Sequence, residues 1–280
     1  MLKLLKHDLL QTYKKYLLMF GVSLVFFVLT PLLTWFEVLI ASNENANVVG
    51  SILGTLLIII LIFAAFALFM IVSVLVVIYG YSYVHNTLFK KQGYLSFTLP
   101  YKTWQLVMSK ILIIVFWTVC YSIVVSIGAA IMYGEYLLVF SRYINIEELK
   151  TIFQALVELF DIMIDAMNAS GSTATVVTSG ILIGLNSIVS LPVGIIIFLL
   201  SEAIVNSSIL KSKRKVTPIL PFILITYGIS FISQILLSVC MATSNSIIVP
   251  LVIELIINLA VVIGGYELTI YLLEYNLELV

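Results

Sequence analysis

The chain has 280 residues with fourteen basic and fourteen acidic side chains, so its formal net charge is zero. Hydrophobic residues make up 62% of it and charged residues only 10%, and its mean hydropathy is +1.20. These values exclude an ordinary soluble globular domain and argue against a nucleic-acid-binding protein.

Six apolar stretches are long enough to cross a bilayer, for which a helix needs about 20 residues. They cover about 17–40, 51–79, 111–132, 176–205, 217–239 and 247–268. We therefore predict an all-α, polytopic membrane protein with six transmembrane helices in a single transmembrane domain, residues 1–280. The first stretch follows a basic segment and lacks a small-residue cleavage site, so we expect a retained span and not a signal peptide.

The basic residues indicate the orientation of these spans. Twelve of the fourteen fall in three clusters, Lys3, Lys6, Lys14 and Lys15; Lys90, Lys91, Lys102 and Lys110; and Lys211, Lys213, Arg214 and Lys215. Lys and Arg near span ends are retained on the cytoplasmic side, so both termini are predicted to be cytoplasmic. Counted against five acids on that side, namely Asp8, Glu202, Glu267, Glu274 and Glu278, the twelve bases leave a charge of +7, which suits anionic lipid headgroups.

Residues 1–16 precede the first span and place Leu2, Leu5, Leu9 and Tyr13 on one helical face. Most of the lysines in this segment lie away from that face. The pattern predicts a helix in the inner membrane interface, with a solvated extension of the first span as the alternative.

Residues 84–100 connect spans two and three on the predicted cytoplasmic side. Asn86 is expected to cap a short helix that runs through Gln92, Gly93 suits the end of that helix, and Pro100 breaks the chain before span three. The segment is either a lever on which a partner acts or a rigid connector. Its candidate coupling residues are Asn86, Lys90, Lys91, Gly93, Tyr94 and Pro100.

The longest outer loop, from Tyr133 to about Thr175, contains an amphipathic pattern at residues 145–167. Five acids in this stretch would be too costly in the hydrocarbon core, so we predict an extracellular amphipathic helix and not a seventh span. It either covers an exit vestibule or lies on the outer leaflet.

A few polar residues lie inside the spans. In span five, Tyr227, Ser230, Gln234 and Ser238 recur every three or four residues and share one helical face. Span six carries Glu254, with Asn258 one turn later. A carboxylate at the bilayer centre costs about 2.5–3.5 kcal/mol on insertion scales and generally faces the bundle interior or a watery cavity. Glu254 is therefore either a functional site or a helix-packing carboxyl.

No catalytic or metal-binding motif is present. The chain lacks a phosphate-binding GxxxxGK[ST] loop, an HExxH zinc pair and a GxSxG elbow, and His7 and His85 are isolated in the sequence. Cys120 and Cys240 have no spaced partners and are expected to be packing residues. We predict that the chain is not an enzyme and that energy for any transport comes from an ion gradient or a partner.

Residues 93–100, GYLSFTLP, are followed by LVMSK at residues 106–110. This pair of motifs resembles the loop between spans two and three in small ABC-type (ABC-2-like) exporter permeases of Gram-positive bacteria, and the six spans and the closing YLLEYNLEL fit the same family. The matching positions are Gly93, Tyr94, Leu95, Phe97, Thr98, Leu99, Pro100, Leu106, Ser109 and Lys110. Relatives often open span three with Ser-Pro, where this chain has Lys102 and Thr103, so Thr103 is expected to supply the cap.

The resemblance implies a homodimer, or a pair with a related permease, in the bacterial plasma membrane. Two copies of a separate ATPase would contact residues 84–100, and ATP and Mg would bind to that partner, with no cofactor on this chain. The implied cargo is an amphipathic or hydrophobic peptide, such as a phenol-soluble modulin or an antimicrobial peptide. Candidates for the translocation path are Phe66, Tyr227, Ser230, Gln234, Ser238 and Glu254.

Two other classes of function stay open at this point. One is a stand-alone secondary transporter that uses Glu254 as a proton site. The other is a membrane sensor or immunity protein that moves no substrate.

Overall fold

The computed structural model describes residues 2–41, 48–90, 101–143, 154, 157–158, 173–207, 218–243 and 248–275. Within these residues the chain forms six long helices, α1 Leu2–Ala41, α2 Val48–Val84, α3 Thr103–Tyr143, α4 Thr173–Val205, α5 Ile219–Thr243 and α6 Ile248–Tyr275. Each helix contains a stretch that is long and apolar enough to cross a membrane. The predicted all-α fold with six candidate spans is confirmed, and the chain is a multi-pass membrane protein.

Helix α1 runs without a break from Leu2 to Ala41, so residues 1–16 do not form a helix separate from the first span. Asp8, Thr12, Tyr16 and Ser23 are all buried, and their spacing of four or seven residues gives α1 one buried face on both sides of residue 16. The predicted interfacial segment is therefore the first part of α1. Its depth in the membrane stays a prediction.

The predicted amphipathic helix at residues 145–167 lies almost entirely outside the described residues. Residues 154, 157 and 158 are the exceptions, and all three are helical and exposed.

The chain divides into two compact units. The N-terminal unit comprises Lys6–Tyr79 and Phe116–Leu159, and the C-terminal unit comprises Met1–Leu5, Gly80–Val115 and Phe160–Val280. In the N-terminal unit, Tyr16 stacks on Trp117 with ring centroids 4.9 Å apart, and Phe26 stacks on Phe69 at 4.8 Å. Contacts further along α1 are made to residues further along α3 but earlier in α2, so α1 is parallel to α3 and antiparallel to α2. This is the arrangement expected when successive spans alternate in direction.

In the C-terminal unit, α4 and α6 are parallel neighbours, and α5 packs against both. Asn186 of α4 pairs with Asn258 of α6, and ten residues further along α4 Ile196 lies against Gly265 of α6. The parallel arrangement follows from α5, which returns the chain to the other side between them.

The hydrophobic core of the C-terminal unit lies where α2 ends, α3 begins and α4 and α6 end. Its buried members are Val84, Leu88, Phe89, Val107, Ile111, Ile114, Ile195, Ile196, Leu199, Ala203, Leu272 and Leu273. Four helix ends are thus fixed to one another at the same end of the unit. This end carries most of the polar contacts described below.

Candidate functional site

Helix α2 does not stop cleanly but passes into a π-helical turn, His85–Phe89, before the backbone becomes extended at Lys90. Val84, just before the turn, has helical dihedral angles, so no new helix begins at Asn86. The predicted cap at Asn86 is wrong: its Nδ2 donates to Oγ of Ser82, 3.3 Å away. The helix continues because Val84 and Leu88, one turn apart, are both fully buried in the core.

This π-helical turn contacts α4 through a close polar pair. Nδ1 of His85 lies 2.8 Å from Oε1 of Glu202, although the two groups are not aligned as a directed hydrogen bond. The Glu202 side chain is 2% exposed and the His85 side chain 33% exposed. A carboxyl and an imidazole at this distance can share one proton, which lowers the cost of burying the acid.

The other oxygen of the Glu202 carboxyl is held by Asn206, the first residue after α4. Nδ2 of Asn206 lies 3.3 Å from Oε2 of Glu202 and also donates to the Glu202 backbone oxygen at 2.8 Å. The backbone N–H of Asn206 donates to that same oxygen, so Asn206 also satisfies the end of the helix. Lys90 is exposed and close enough to act electrostatically on this carboxyl.

These contacts correct two expectations from the sequence. His85 is isolated along the chain but not in the fold, and Glu202, counted among the cytoplasmic acids, is buried, as is Asp8. A signal for the pair exists in the sequence, since spans two and four end on the same predicted side, one with His85 and the other with Glu202. That signal does not indicate how far apart the two side chains lie, and many other pairs of residues predicted on the same side of the membrane share it.

The matched motif at the start of α3 is also buried. Leu106, Ser109 and Lys110 are at most 5% exposed. Nζ of Lys110 donates to the Tyr83 hydroxyl at 3.2 Å and lies 5.0 Å from the centre of that ring. Lys110, a member of the second basic cluster in the sequence, is therefore a buried base bound to the end of α2.

The start of α3 is also fixed to the end of α6. The Thr103 hydroxyl donates to the Glu274 carboxyl, and the Tyr266 hydroxyl donates to the Trp104 backbone oxygen at 3.0 Å. Helix α3 does begin at Thr103, where a helix cap was expected. The described hydrogen bond of the Thr103 side chain, however, is to Glu274 of α6. We refer to His85, Glu202, Asn206, Tyr83, Lys110, Thr103 and Glu274 together as the helix-end cluster.

The remaining coupling candidates adjoin the helix-end cluster in the chain. Lys90 is the last described residue before the segment and Tyr101 the first after it. Lys91, Gly93, Tyr94 and Pro100 lie outside the described residues. The described structure therefore gives the two attachment points of the segment, the π-helical turn and the start of α3.

The polar stripe of span five lies on an exposed part of α5. Tyr227, Ser230, Gln234 and Ser238 are all exposed, and no described side chain of α5 is buried. The Ser238 hydroxyl donates to the Ile235 backbone oxygen of its own helix at 2.8 Å. Within the described residues the stripe thus faces away from the other helices of its unit.

Glu254 is likewise exposed on α6, so its side chain does not lie in the contacts between α6 and the other described helices of its unit. Asn258, one turn later, donates from Nδ2 to Oδ1 of Asn186 at 3.0 Å and so joins α6 to α4. Phe66 belongs to the N-terminal unit, where its side chain is 48% exposed. The other five path candidates belong to the C-terminal unit, four on α5 and one on α6.

The helix-end cluster contains no arrangement of nucleophile, base and electrophile among its described residues. Its described contacts join the end of α2 to α3 and α4, and the start of α3 to the end of α6. Comparison of the chain with protein-family models, with curated proteins and with solved structures finds no match.

Proposed function

We propose that this chain is the transmembrane permease subunit of an ATP-driven, ABC-type exporter. The observation that carries the proposal is the position of the GYLSFTLP motif, residues 93–100, in the chain between the π-helical turn His85–Phe89 and the start of α3, both of which belong to the helix-end cluster. A segment held at both ends by the cores of several spans is suited to pass a force from a partner into the membrane. The chain itself supplies no nucleotide-binding motif, so ATP and Mg bind to a separate ATPase subunit in this proposal.

The arrangement of helix ends supports the proposed orientation. The ends of α2, α4 and α6 and the start of α3 meet in one core, as expected for spans that alternate in direction. Lys90, Lys102 and Lys110 belong to this end, and the basic cluster at residues 211–215 follows α4 directly in sequence. By the positive-inside rule the proposed orientation has this end and both termini in the cytoplasm. The bacterial plasma membrane is proposed from the resemblance to permeases of Gram-positive bacteria.

The proposed cargo is an amphipathic or hydrophobic peptide of the toxin or antimicrobial type. Such a peptide needs a path with both apolar and polar surfaces. The exposed stripe on α5 supplies hydroxyls and an amide, and exposed aromatic side chains such as Phe66 supply apolar surface. A second copy of the chain would complete the path, because in one copy the stripe is uncovered by the described helices of its unit.

Affinity purification in mild detergent, followed by mass spectrometry, is the direct test of the complex. We expect an ABC ATPase at about one copy per permease chain, and peptide-stimulated ATP hydrolysis after reconstitution in liposomes. Repeated isolation of the chain without an ATPase, from cells that express a candidate ATPase, would contradict the proposal.

Transport driven by a proton gradient is the alternative that the same liposomes test. If the chain were a secondary transporter, cargo would move without ATP or ATPase when a proton gradient is imposed, and Glu254→Gln would abolish the movement. We expect no such movement. Resistance or signalling without any cargo movement would instead indicate a sensor or immunity protein.

A further inference from the structure

The geometry points to His85 and Glu202 as a positioning pair that fixes the π-helical turn to α4. Under the proposed function, on which this inference rests, a force applied to residues 91–100 then reaches α4 and not α2 alone. The sequence motif does not include either residue, and both lie outside residues 91–100, which a partner would contact under the proposed function. Their role is therefore mechanical and acts through the segment.

The carboxyl of Glu202 is oriented from two sides, which is what a fixed connection requires. Asn206 holds one oxygen and the backbone of the same turn, and His85 approaches the other oxygen from the π-helical turn. Because the carboxyl is 2% exposed, moving His85 away would leave a buried acid with Asn206 as its remaining close partner. That loss is unfavourable, so the turn and the end of α4 are expected to move together.

The π-helical turn explains why such a connection is needed. Its wider hydrogen-bonding pattern is rare, and such turns often occur at functional sites. A turn of this kind, placed between α2 and residues 91–100, can change its winding and absorb a movement of the segment. The contact to Glu202 opposes that change at the first residue of the turn.

From α4 the movement has a direct route to α6. Ile196 lies against Gly265 without room for a β-carbon, and Leu199 and Ala203 share the buried core with Leu272 and Leu273. Two tightly packed parallel helices shift together more readily than they separate. The pair therefore connects the segment to α4 and, through it, to α6.

The test compares His85→Leu, Glu202→Met and the double variant in the reconstituted complex of permease and ATPase. We expect each single variant to lower the thermal unfolding midpoint of the purified chain, because His85→Leu leaves the buried Glu202 carboxyl without its imidazole partner and Glu202→Met leaves the partly buried His85 imidazole without its carboxyl partner. The double variant should regain most of that loss, since apolar residues of similar size often replace a buried polar pair without cost. His7→Leu, a change of the other histidine, whose side chain is 79% exposed, is the control.

The readout that separates positioning from stability is the amount of cargo moved per ATP hydrolysed. We expect this ratio to fall about fivefold or more in the double variant, within the usual range of coupling between sites, while its stability and ATPase binding match the native chain. The control should keep the native ratio.

Two results would overturn the inference alone: strictly additive effects of the two single changes on stability, or a native transport ratio in the stable double variant. Absence of ATP-driven transport by the native chain would overturn the proposed function, and the inference with it. The native measurement is made first, so the two failures are distinguished.

Discussion

Gly265 of α6 lies so close to Ile196 of α4 that a β-carbon at residue 265 would be 2.7 Å from Cγ2 of Ile196. Its neighbour Gly264 has no atom within 4 Å of the same hypothetical carbon. The two adjacent glycines thus differ in their surroundings. Gly265 permits the close approach of two parallel helices, and Gly264 faces open space. The difference makes them a matched pair for mutation.

We expect Gly265→Ala to destabilise the protein by about 1–3 kcal/mol, because the added methyl group forces Ile196 or the helices apart. Gly264→Ala should be neutral or slightly stabilising, since alanine favours a helix by about 0.5–1 kcal/mol over glycine. Thermal unfolding of both variants in the same detergent measures the difference. Equal midpoints for the two variants would contradict the close packing of α4 on α6.

The amide pair Asn186–Asn258 provides a second measurable contact between α4 and α6. Interhelical hydrogen bonds in membranes contribute about 0.6 kcal/mol on average and up to about 1.7 kcal/mol, so Asn258→Leu should cost an amount in this range. The cost should largely disappear in an Asn186→Leu background, since the partner is already absent. The exposed Ser187, which bonds to its own helix, supplies Ser187→Ala as the control.

Tyr121 joins three helices of the N-terminal unit through one hydroxyl. Its oxygen lies 2.8 Å from Oγ of Ser73 in α2 and 3.3 Å from Oγ of Ser23 in α1. Tyr121→Phe removes both contacts, and we expect a loss of about 1–2 kcal/mol in unfolding free energy. Tyr133→Phe, at a tyrosine that is 65% exposed, should change little. A similar loss in both variants would show that Tyr121 has no special role.

The six spans could be predicted from the sequence because the thickness of the bilayer sets the length of apolar sequence that a span needs. That length does not depend on which other helices a span contacts. Helix α3 extends beyond the predicted span, about 111–132, at both ends, from Thr103 to Tyr143. Polar residues such as Lys110 and Glu135 end an apolar stretch but do not end the helix, whose backbone hydrogen bonds continue past them. Span boundaries and helix boundaries are therefore different quantities.

The helix-end cluster was much harder to predict. Lys110 and Glu202 were both counted as cytoplasmic charges, and nothing in the sequence indicated their burial, because composition records the type of a side chain but not what covers it. Both are buried by the convergence of four helix ends, which depends on long-range packing. The predicted cap at Asn86 failed for a similar reason: the burial of Val84 and Leu88 continued the helix despite the local polar signal.

The motif between α2 and α3 yields a prediction about coupling. Gly93→Val and Pro100→Ala should lower peptide-stimulated ATP hydrolysis, because glycine and proline set the two breaks that define the predicted lever. Expression and membrane insertion should be unchanged, since both residues lie outside the spans. Ser96→Ala, at a position of the motif that carries no match to the permease pattern, is the control. Native ATPase stimulation in both variants would count against the segment as the coupling element.

Gln234 tests whether the exposed stripe on α5 serves transport or merely faces lipid. A side-chain amide exposed to hydrocarbon lacks partners and is unfavourable there, so Gln234→Leu should stabilise α5 if lipid is its only neighbour. We expect instead that cargo transport falls while ATPase binding persists, because the amide contributes to the polar side of the path. Ser233→Ala, whose native hydroxyl donates to the Ser230 backbone oxygen at 2.8 Å, is the control on the same helix. Higher stability of Gln234→Leu together with native export kinetics would assign the stripe to the lipid-facing surface, and the search for the path would move to Phe66 and the N-terminal unit.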